Sequence, residues 1–292
     1  PHIKTSFPMR NLFAPLFALT LLAPGQSVPE PAKEAPVPTG GETAPSGDAP
    51  APSDDVTRKA EKPQFAIDLD NLSKEKSQKY FEHYFRADTL FKQKRIFECL
   101  DEIHDLHEIY DKNPASLNLE GACYVEFRSF EKARLAFAKA LTANPGNFNV
   151  RFNLAEIEFV TENWAESLKQ LGELAKEAEK DKNLGTMLPL IKFKKLLCML
   201  KTDDVEGAKA ILAKTDFLDD SPLFYYGNAA MDYFADRGAE AEVWLSRAGR
   251  IFRNQNTIAP WQDTLIEFGY IKSFYGGDLE VEVNSPTGGN GQ

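Results

Sequence analysis

Residues 117–145 have the sequence LNLEGACYVEFRSFEKARLAFAKALTANP, whose apolar pattern is the strongest indication of the fold. Small and bulky apolar residues recur there at spacings of three and four along two successive segments, the periodicity of a buried helix face. The first face holds Leu117, Gly121 and Tyr124, and the second holds Phe130, Ala133, Phe137 and Ala140. Asn144 and Pro145 end the second segment, because proline lacks an amide donor and asparagine tolerates left-handed backbone. The stretch predicts two amphipathic helices joined by a turn.

The same pattern recurs 34 residues earlier and 34 residues later. The earlier positions are Ala87, Leu90, Ile96, Cys99, Ile103 and Leu106, and the later ones are Ala155, Glu158, Trp164, Ser167, Leu171 and Leu174. A fixed period of this length is typical of helix–turn–helix solenoids. One helix pair cannot bury both of its apolar faces, so neighbouring pairs must stack along a continuous core. The period therefore predicts an all-α repeat architecture.

The central unit resembles the tetratricopeptide repeat family. The matching residues are Leu117, Gly121, Tyr124, Ala133, Phe137, Ala140 and Pro145, with Leu117 where the family usually has tryptophan and Glu120 where it usually has leucine. The resemblance covers about two thirds of the chain, from near Tyr80 to near Phe252, and it weakens away from the central unit. It implies a right-handed superhelix whose concave face is lined by the first helix of each unit.

Beyond the third unit the phase of the repeat slips. The segment from Lys176 to Thr186 is interpreted as a lengthened connection, and the apolar first helix from Leu188 to Leu200 is expected to be buried on both sides or to form an interface. A fifth unit is indicated by Tyr226, Ala230, Tyr233, Ala241, Leu245 and Ala248. One more helix, predicted from Pro260 to Tyr275, would cap the stack. The predicted fold is a right-handed α-solenoid of about five tetratricopeptide-like units plus a C-terminal capping helix, within residues 64–275.

Both ends of the chain differ in composition from this domain. An uncharged apolar run from Leu12 to Leu22 follows Arg10, and it is shorter than the roughly 20 residues that span a bilayer. With small residues at Gly25 and Ser27, it predicts a signal peptide region at residues 1–27 and export, the alternative being an uncleaved anchor. Residues 28–63 are rich in proline and poor in large apolar residues, which predicts a disordered linker. Residues 276–292 are predicted to be a flexible tail.

Charge and cysteine content narrow the classes of partner. The formal net charge is −10, so the chain lacks the excess of basic residues that nucleic-acid-binding proteins carry. No nucleic-acid partner is therefore expected. A local basic cluster at Lys192, Lys194, Lys195 and Lys201 fits either an acidic partner or a solvated helix edge.

Three cysteines, Cys99, Cys123 and Cys198, indicate no disulfide framework and favour buried thiols. In an oxidising compartment Cys99 and Cys123 are the one plausible pair, because their helices belong to adjoining units.

The sequence offers no catalytic constellation. It contains neither a GxSxG nucleophile motif nor a phosphate-binding glycine loop, so the chain is predicted not to be an enzyme and to need no cofactor. His104 and His107 lie three residues apart beside acidic residues, whereas HExxH zinc sites use a spacing of four with a glutamate between. No metal site is therefore predicted, and a metal- or carbohydrate-binding accessory protein remains the alternative function.

The resemblance to tetratricopeptide repeats implies a binding groove on the first helices. Its predicted residues are Tyr84, Asp88, Phe91, Asn118, Glu126, Phe152, Glu156 and Phe159, within a wider set that includes Phe81 and Lys92. An aromatic and acidic groove fits a peptide with apolar anchors and some lysine or arginine. The alternative is that these aromatic residues are covered by the linker or by the C-terminal helix.

The sequence thus predicts a non-catalytic protein–protein interaction scaffold that is exported to the periplasm or cell envelope. A protein or peptide partner is expected, without stable membrane insertion after signal cleavage. The oligomeric state is left open.

Overall fold

The computed structural model describes residues 62–271. Within this range there are twelve helices and no strand, which confirms the predicted all-α fold. The helices are α1 (Gln64–Asp70), α2 (Lys74–Lys92), α3 (Ile96–Ile109), α4 (Pro114–Glu126), α5 (Phe130–Ala143), α6 (Phe148–Val160), α7 (Trp164–Ala178), α8 (Leu188–Lys201), α9 (Val205–Leu212), α10 (Leu223–Phe234), α11 (Gly238–Ile251) and α12 (Gln255–Glu267). The predicted signal region and C-terminal tail, and nearly all of the predicted linker, lie outside the described residues.

Five helix pairs are joined by three-residue turns whose middle residue has a left-handed backbone. These residues are Lys94, Arg128, Glu162, Asp203 and Asp236, with φ between 54° and 63°. The next residue donates its amide to a carbonyl five positions earlier, as Arg95 does to Leu90 at 2.9 Å, which is the Schellman closure of a helix end. Because left-handed backbone is unfavourable outside glycine, its recurrence marks one structural position in each repeat. The five turns confirm five helix–turn–helix units.

The spacing of these turns follows the sequence period. The first three left-handed residues are 34 positions apart, and the fourth comes 41 positions after the third. The additional residues belong to the long connection between α7 and α8, at residues 179–187. The predicted slip of the repeat is therefore confirmed, and it lies in the segment that the sequence indicated.

The chain divides into two compact units, which comprise residues 62–154 and 155–271 of the described range. The N-terminal unit contains α1, the pairs α2/α3 and α4/α5, and the first half of α6. Its largest fully buried side chains include Tyr80, Ile103, Leu106 and Phe137. Gly121 approaches the ring of Phe137 so closely that an added Cβ would overlap the ring. The small residue at this repeat position is thus required by the contact between the helices of one pair.

The C-terminal unit contains the second half of α6, α7, the pairs α8/α9 and α10/α11, and α12. Its central helix is α8, against which α7, α9, α10 and α12 pack. The buried residues of α8 are Leu190, Ile191, Phe193, Lys194, Leu196, Leu197, Cys198 and Leu200. Burial around most of its circumference explains why its sequence shows no clear polar face. The prediction that this helix is buried on both sides is confirmed.

The last helix begins five residues before the predicted start at Pro260. Asn254 caps α12, since its side chain accepts the backbone amide of Asn256 at 3.0 Å. Pro260 then lies inside the helix, where its missing amide removes one helical hydrogen bond. The predicted start was wrong because the asparagine cap, rather than the proline, fixes the first turn.

The predicted end of this helix was also wrong. α12 ends at Glu267, and Gly269 has φ 84°, a left-handed conformation that glycine adopts without a steric penalty. The helix therefore ends before Tyr275 and Gly276, which lie outside the described residues.

Candidate functional site

The four aromatic residues of the predicted groove are buried. Tyr84, Phe91, Phe152 and Phe159 expose 7%, 4%, 1% and 0% of their surface, respectively. Aromatic side chains bury large apolar areas and dominate the energetics of a core. In this structure the four rings pack inside the helix layers, so each exposes less than a tenth of its surface.

The polar groove residues of the N-terminal unit each have an intramolecular partner. Asp88 forms an ion pair with Lys92 one turn later on α2. Glu126 accepts a hydrogen bond from Nζ of Lys94 at 2.8 Å, which links α4 to the turn of the preceding unit. Asn118 on α4 accepts a hydrogen bond from Nδ2 of Asn153 on α6 at 2.8 Å. The two asparagines join successive first helices, α4 and α6, whereas the Asp88 contact lies within α2 and the Glu126 contact reaches a turn.

Glu156 belongs to a buried ion pair rather than to an open groove. Its Oε2 lies 2.9 Å from Nζ of Lys194, whose side chain is only 3% exposed. The same ammonium group lies 4.6 Å from the centroid of the Phe159 ring. Burial raises the pKa of Glu156, and the charge of Lys194 opposes that shift. Oε1 of Glu156 is buried without a hydrogen-bond partner, so the pair is only partly compensated.

The C-terminal segment covers the first helices of its own unit. Trp261 on α12 lies 5.2 Å from Phe193 on α8 and 5.8 Å from Tyr226 on α10, measured between ring centroids. Phe268, just after α12, stacks on Phe159 of α6 at 6.0 Å. This segment therefore contacts first helices α6, α8 and α10. Phe159 is therefore covered by the C-terminal segment, which is the alternative to an open groove at this residue.

The predicted lysine cluster is divided among separate internal contacts. Lys194 pairs with Glu156, whereas Lys201 lies over the rings of Trp164 and Phe268. Lys192 lies 3.3 Å from Glu179. Lys195 is half-buried, and burial lowers its pKa. Much of this positive charge therefore stabilises the C-terminal unit instead of forming one basic surface.

An accessible aromatic surface beside a partly buried carboxylate remains on α2 in the N-terminal unit. Phe81, Phe85 and Asp88 are four and three residues apart, so they share one helix face. Phe85 is 54% exposed, and its ring centroid lies 6.4 Å from that of the partly buried Phe81. We call these three residues the α2 stripe. The sequence prediction included Phe81 and Asp88 but missed Phe85, although its position one turn after Phe81 was the available signal.

The histidines do not form the pair considered from the sequence. His104 is exposed near Glu108, while Nε2 of the half-buried His107 lies 3.2 Å from Oγ of Ser116. Both histidines line a cavity of about 810 Å³ at the ends of α3, α4 and α5. Burial lowers the pKa of His107. The structure brings no third ligand to these two side chains among the described metal-ligating groups.

A different histidine, His83, lies close enough to two carboxylates for the three groups to share a metal ion. Nδ1 of His83 lies 2.6 Å from Oε2 of Glu102 and 3.9 Å from Oδ2 of Asp105. The remaining oxygen of Glu102 accepts a hydrogen bond from Arg86 at 3.0 Å. A histidine with two carboxylates can hold a divalent cation, and the same groups are also joined by hydrogen bonds without one.

The comparisons with known proteins give likenesses to solved structures of low sequence identity. The described helices form tetratricopeptide-like repeats. No protein-family model and no curated protein matches the chain. A structure of Pseudomonas aeruginosa PilF is 14% identical, with a TM-score of 0.48, and the match covers 67% of this chain and 97% of that chain. A structure of PilW, described as a widely conserved type IV pilus biogenesis factor, is 16% identical, with a TM-score of 0.48 and coverage of 68% and 88%. Neither likeness assigns a function to this chain.

Among residues 62–271, no helix has the length and hydropathy needed to cross a membrane.

Proposed function

We propose that this protein is a non-catalytic scaffold that binds a segment of another protein on the α2 stripe. The observation that carries the proposal is the exposure of Phe85, 54% of its surface, beside Phe81 and Asp88 on a first helix. Rigid aromatic rings supply much of the contact energy in protein interfaces. The neighbouring Tyr84 ring, 5.9 Å from Phe85, supports the exposed ring from the core side.

The chemistry of the stripe favours a partner segment with apolar and basic side chains. An apolar anchor would cover Phe81 and Phe85, and a lysine or arginine would contact Asp88 in exchange for Lys92. Asn118 and Glu126 on the next first helix would extend the polar part of the surface. The net charge of −10 would attract such a segment over longer distances and make its binding sensitive to salt.

We place this scaffold in the periplasm or cell envelope. The support is the short apolar run that follows Arg10 and precedes small residues at Gly25 and Ser27. Residues 28–63 would then act as a flexible linker between the signal region and the repeat domain, residues 64–275. The tail at residues 276–292 completes this proposed organisation.

The proposal is tested by comparing two exposed phenylalanines. Phe85→Ala removes an aromatic ring from the α2 stripe, and Phe97→Ala removes a ring that is 73% exposed on a second helix, α3. Affinity capture from envelope extracts, quantified by mass spectrometry, should lose the same proteins with Phe85→Ala and retain them with Phe97→Ala. Equal capture by both variants and the parent protein would reject the α2 stripe as the binding surface.

A second candidate function, metal binding, is favoured by the cluster of His83, Glu102 and Asp105. Titration with Zn²⁺ by calorimetry, on the parent protein and on His83→Gln, tests it directly. A saturable heat that disappears in His83→Gln supports metal binding at this cluster, and no saturable heat in the parent protein eliminates it.

A further inference from the structure

Two cysteines of the N-terminal unit face each other across the contact between neighbouring repeats. Cys99 lies on α3 and Cys123 lies on α4, and these helices pack together. Sγ of Cys123 is 3.3 Å from Sγ of Cys99, and both residues are fully buried. Their repeat positions differ, since Cys99 is in a second helix and Cys123 is in the first helix of the next unit.

We propose that Cys99 and Cys123 form a disulfide bond when the chain folds in an oxidising compartment. A disulfide has an S–S length of about 2.05 Å, so the two sulfurs would need to approach by roughly 1.3 Å from their present separation. Cys198 is fully buried in the C-terminal unit. The pairing is therefore specific to Cys99 and Cys123 and leaves Cys198 as a thiol.

The bond forms by thiol–disulfide exchange. One cysteine thiolate attacks a sulfur of an oxidant disulfide, either glutathione disulfide or a protein disulfide, and releases one thiol of the oxidant. The second cysteine thiolate then attacks the mixed disulfide and releases the other thiol. In total, the two cysteines lose two protons and two electrons, and the oxidant disulfide is reduced to two thiols.

The surroundings of the sulfurs determine when this exchange takes place. The hydrogen bond with Cys99, together with burial, holds the pKa of the Cys123 thiol well above its usual range. The nucleophilic thiolate is therefore scarce once α3 and α4 have packed, and an external disulfide has no access. Exchange must occur while the chain is folding, and the bond is then protected from external thiols.

The bond would join the first two repeat units. It would link the second helix of the α2/α3 pair to the first helix of the α4/α5 pair and close a loop of about 25 residues. Cross-linking at this place restricts the unfolded chain and holds the contact between these pairs. The α2 stripe belongs to the pair that the bond would secure, although the disulfide does not depend on the function of that stripe.

The sequence permits a direct mass-spectrometric test. The full chain is unfolded, reduced and refolded in a glutathione redox buffer, and free thiols are then alkylated under denaturing conditions. Trypsin cleaves after Arg95, Lys112 and Arg128, so Cys99 and Cys123 lie on separate peptides, residues 96–112 and 113–128. The expected result is one linked pair of these peptides and an alkylated Cys198, with an intact mass before alkylation about 2 Da below that of the reduced chain.

Cys198→Ala is the matched control and should give the same linked peptides with no alkylated cysteine. Cys123→Ser should abolish the link and leave Cys99 and Cys198 alkylated. Alkylation of all three cysteines in the refolded parent protein would overturn the proposal, as would a linked peptide that contains Cys198.

Discussion

Lys194 and Glu156 form an ion pair in the core of the C-terminal unit, with 2.9 Å between Nζ and Oε2. The pair joins α8 to α6, and the face of the Phe159 ring contacts the same ammonium group. A charge in such an environment is destabilising without its partner, because burial removes its hydration. The pair therefore fixes how these two first helices meet.

Removing one member of the pair should cost more than replacing both. Lys194→Met leaves Glu156 buried without a counter-charge and is expected to destabilise the C-terminal unit by about 3–5 kcal/mol. The double variant Glu156→Gln with Lys194→Met should recover most of that loss. Urea unfolding followed by tryptophan fluorescence measures this, because Trp164, Trp244 and Trp261 all lie in the C-terminal unit. Equal losses in the single and double variants would contradict the interpretation of this pair.

Gly121 and Gly172 should respond in opposite directions to the same substitution. Gly121→Ala is expected to destabilise the N-terminal unit by about 1–3 kcal/mol, since the added methyl group overlaps the buried ring of Phe137. Gly172 lies inside α7 with no atom within 4 Å of an added Cβ. Gly172→Ala should therefore stabilise by about 0.5–1 kcal/mol. Thermal unfolding by circular dichroism distinguishes the two, and a neutral Gly121→Ala would show that the contact with Phe137 can relax.

The folded protein should become less stable as the pH is lowered, partly because of His107. Burial lowers the pKa of this side chain in the folded state, an effect that Asp111 opposes and Lys139 and His104 reinforce. The unfolded chain binds a proton near pH 6.5, so acidification below that pH favours the unfolded state. His107→Gln should reduce the loss of stability between about pH 7 and pH 5.

The measurement is the midpoint of urea unfolding at several pH values. His104→Gln removes one of the charges that reinforce this shift but leaves the buried imidazole in place, so it should reduce the pH dependence less than His107→Gln does. If His107→Gln shows the parent slope, another group is responsible for acid destabilisation.

The C-terminal segment should be required for the C-terminal unit to fold. Trp261 is 5% exposed between Phe193 and Tyr226, so Trp261→Ala should destabilise this unit by about 3–5 kcal/mol. Amide exchange in α8 and α10 should accelerate in the variant. Unchanged exchange in both helices would mean that α12 is a removable addition rather than part of this core.

Local sequence patterns predicted much of the fold. The repeat period placed the helix pairs, because buried helix faces need apolar residues at spacings of three and four. The turn residues were harder to recognise, since Lys94 and Arg128 adopt a left-handed backbone without being glycine. Their conformation follows from how the two helices of a pair pack, which is not a local property.

The candidate site was predictable only in part, because burial depends on distant residues. The sequence placed Phe159 and Glu156 on a first helix. It could not show that Phe268 stacks on Phe159 or that Lys194 forms an ion pair with Glu156. Both partners come from far along the chain. Phe85, in contrast, belongs to the same helix face as Phe81 and could have been included from spacing alone.

Site-specific photocrosslinking in cells that produce the protein tests the proposed scaffold most directly. A photoreactive phenylalanine analogue is placed at Phe85 in one variant and at Phe97 in another, and adducts are identified by mass spectrometry. The proposed function predicts a discrete protein adduct from position 85 that is absent from position 97 and is lost when Asp88→Lys is added. No adduct from position 85, or the same adducts from both positions, would contradict the claim that the α2 stripe binds a partner.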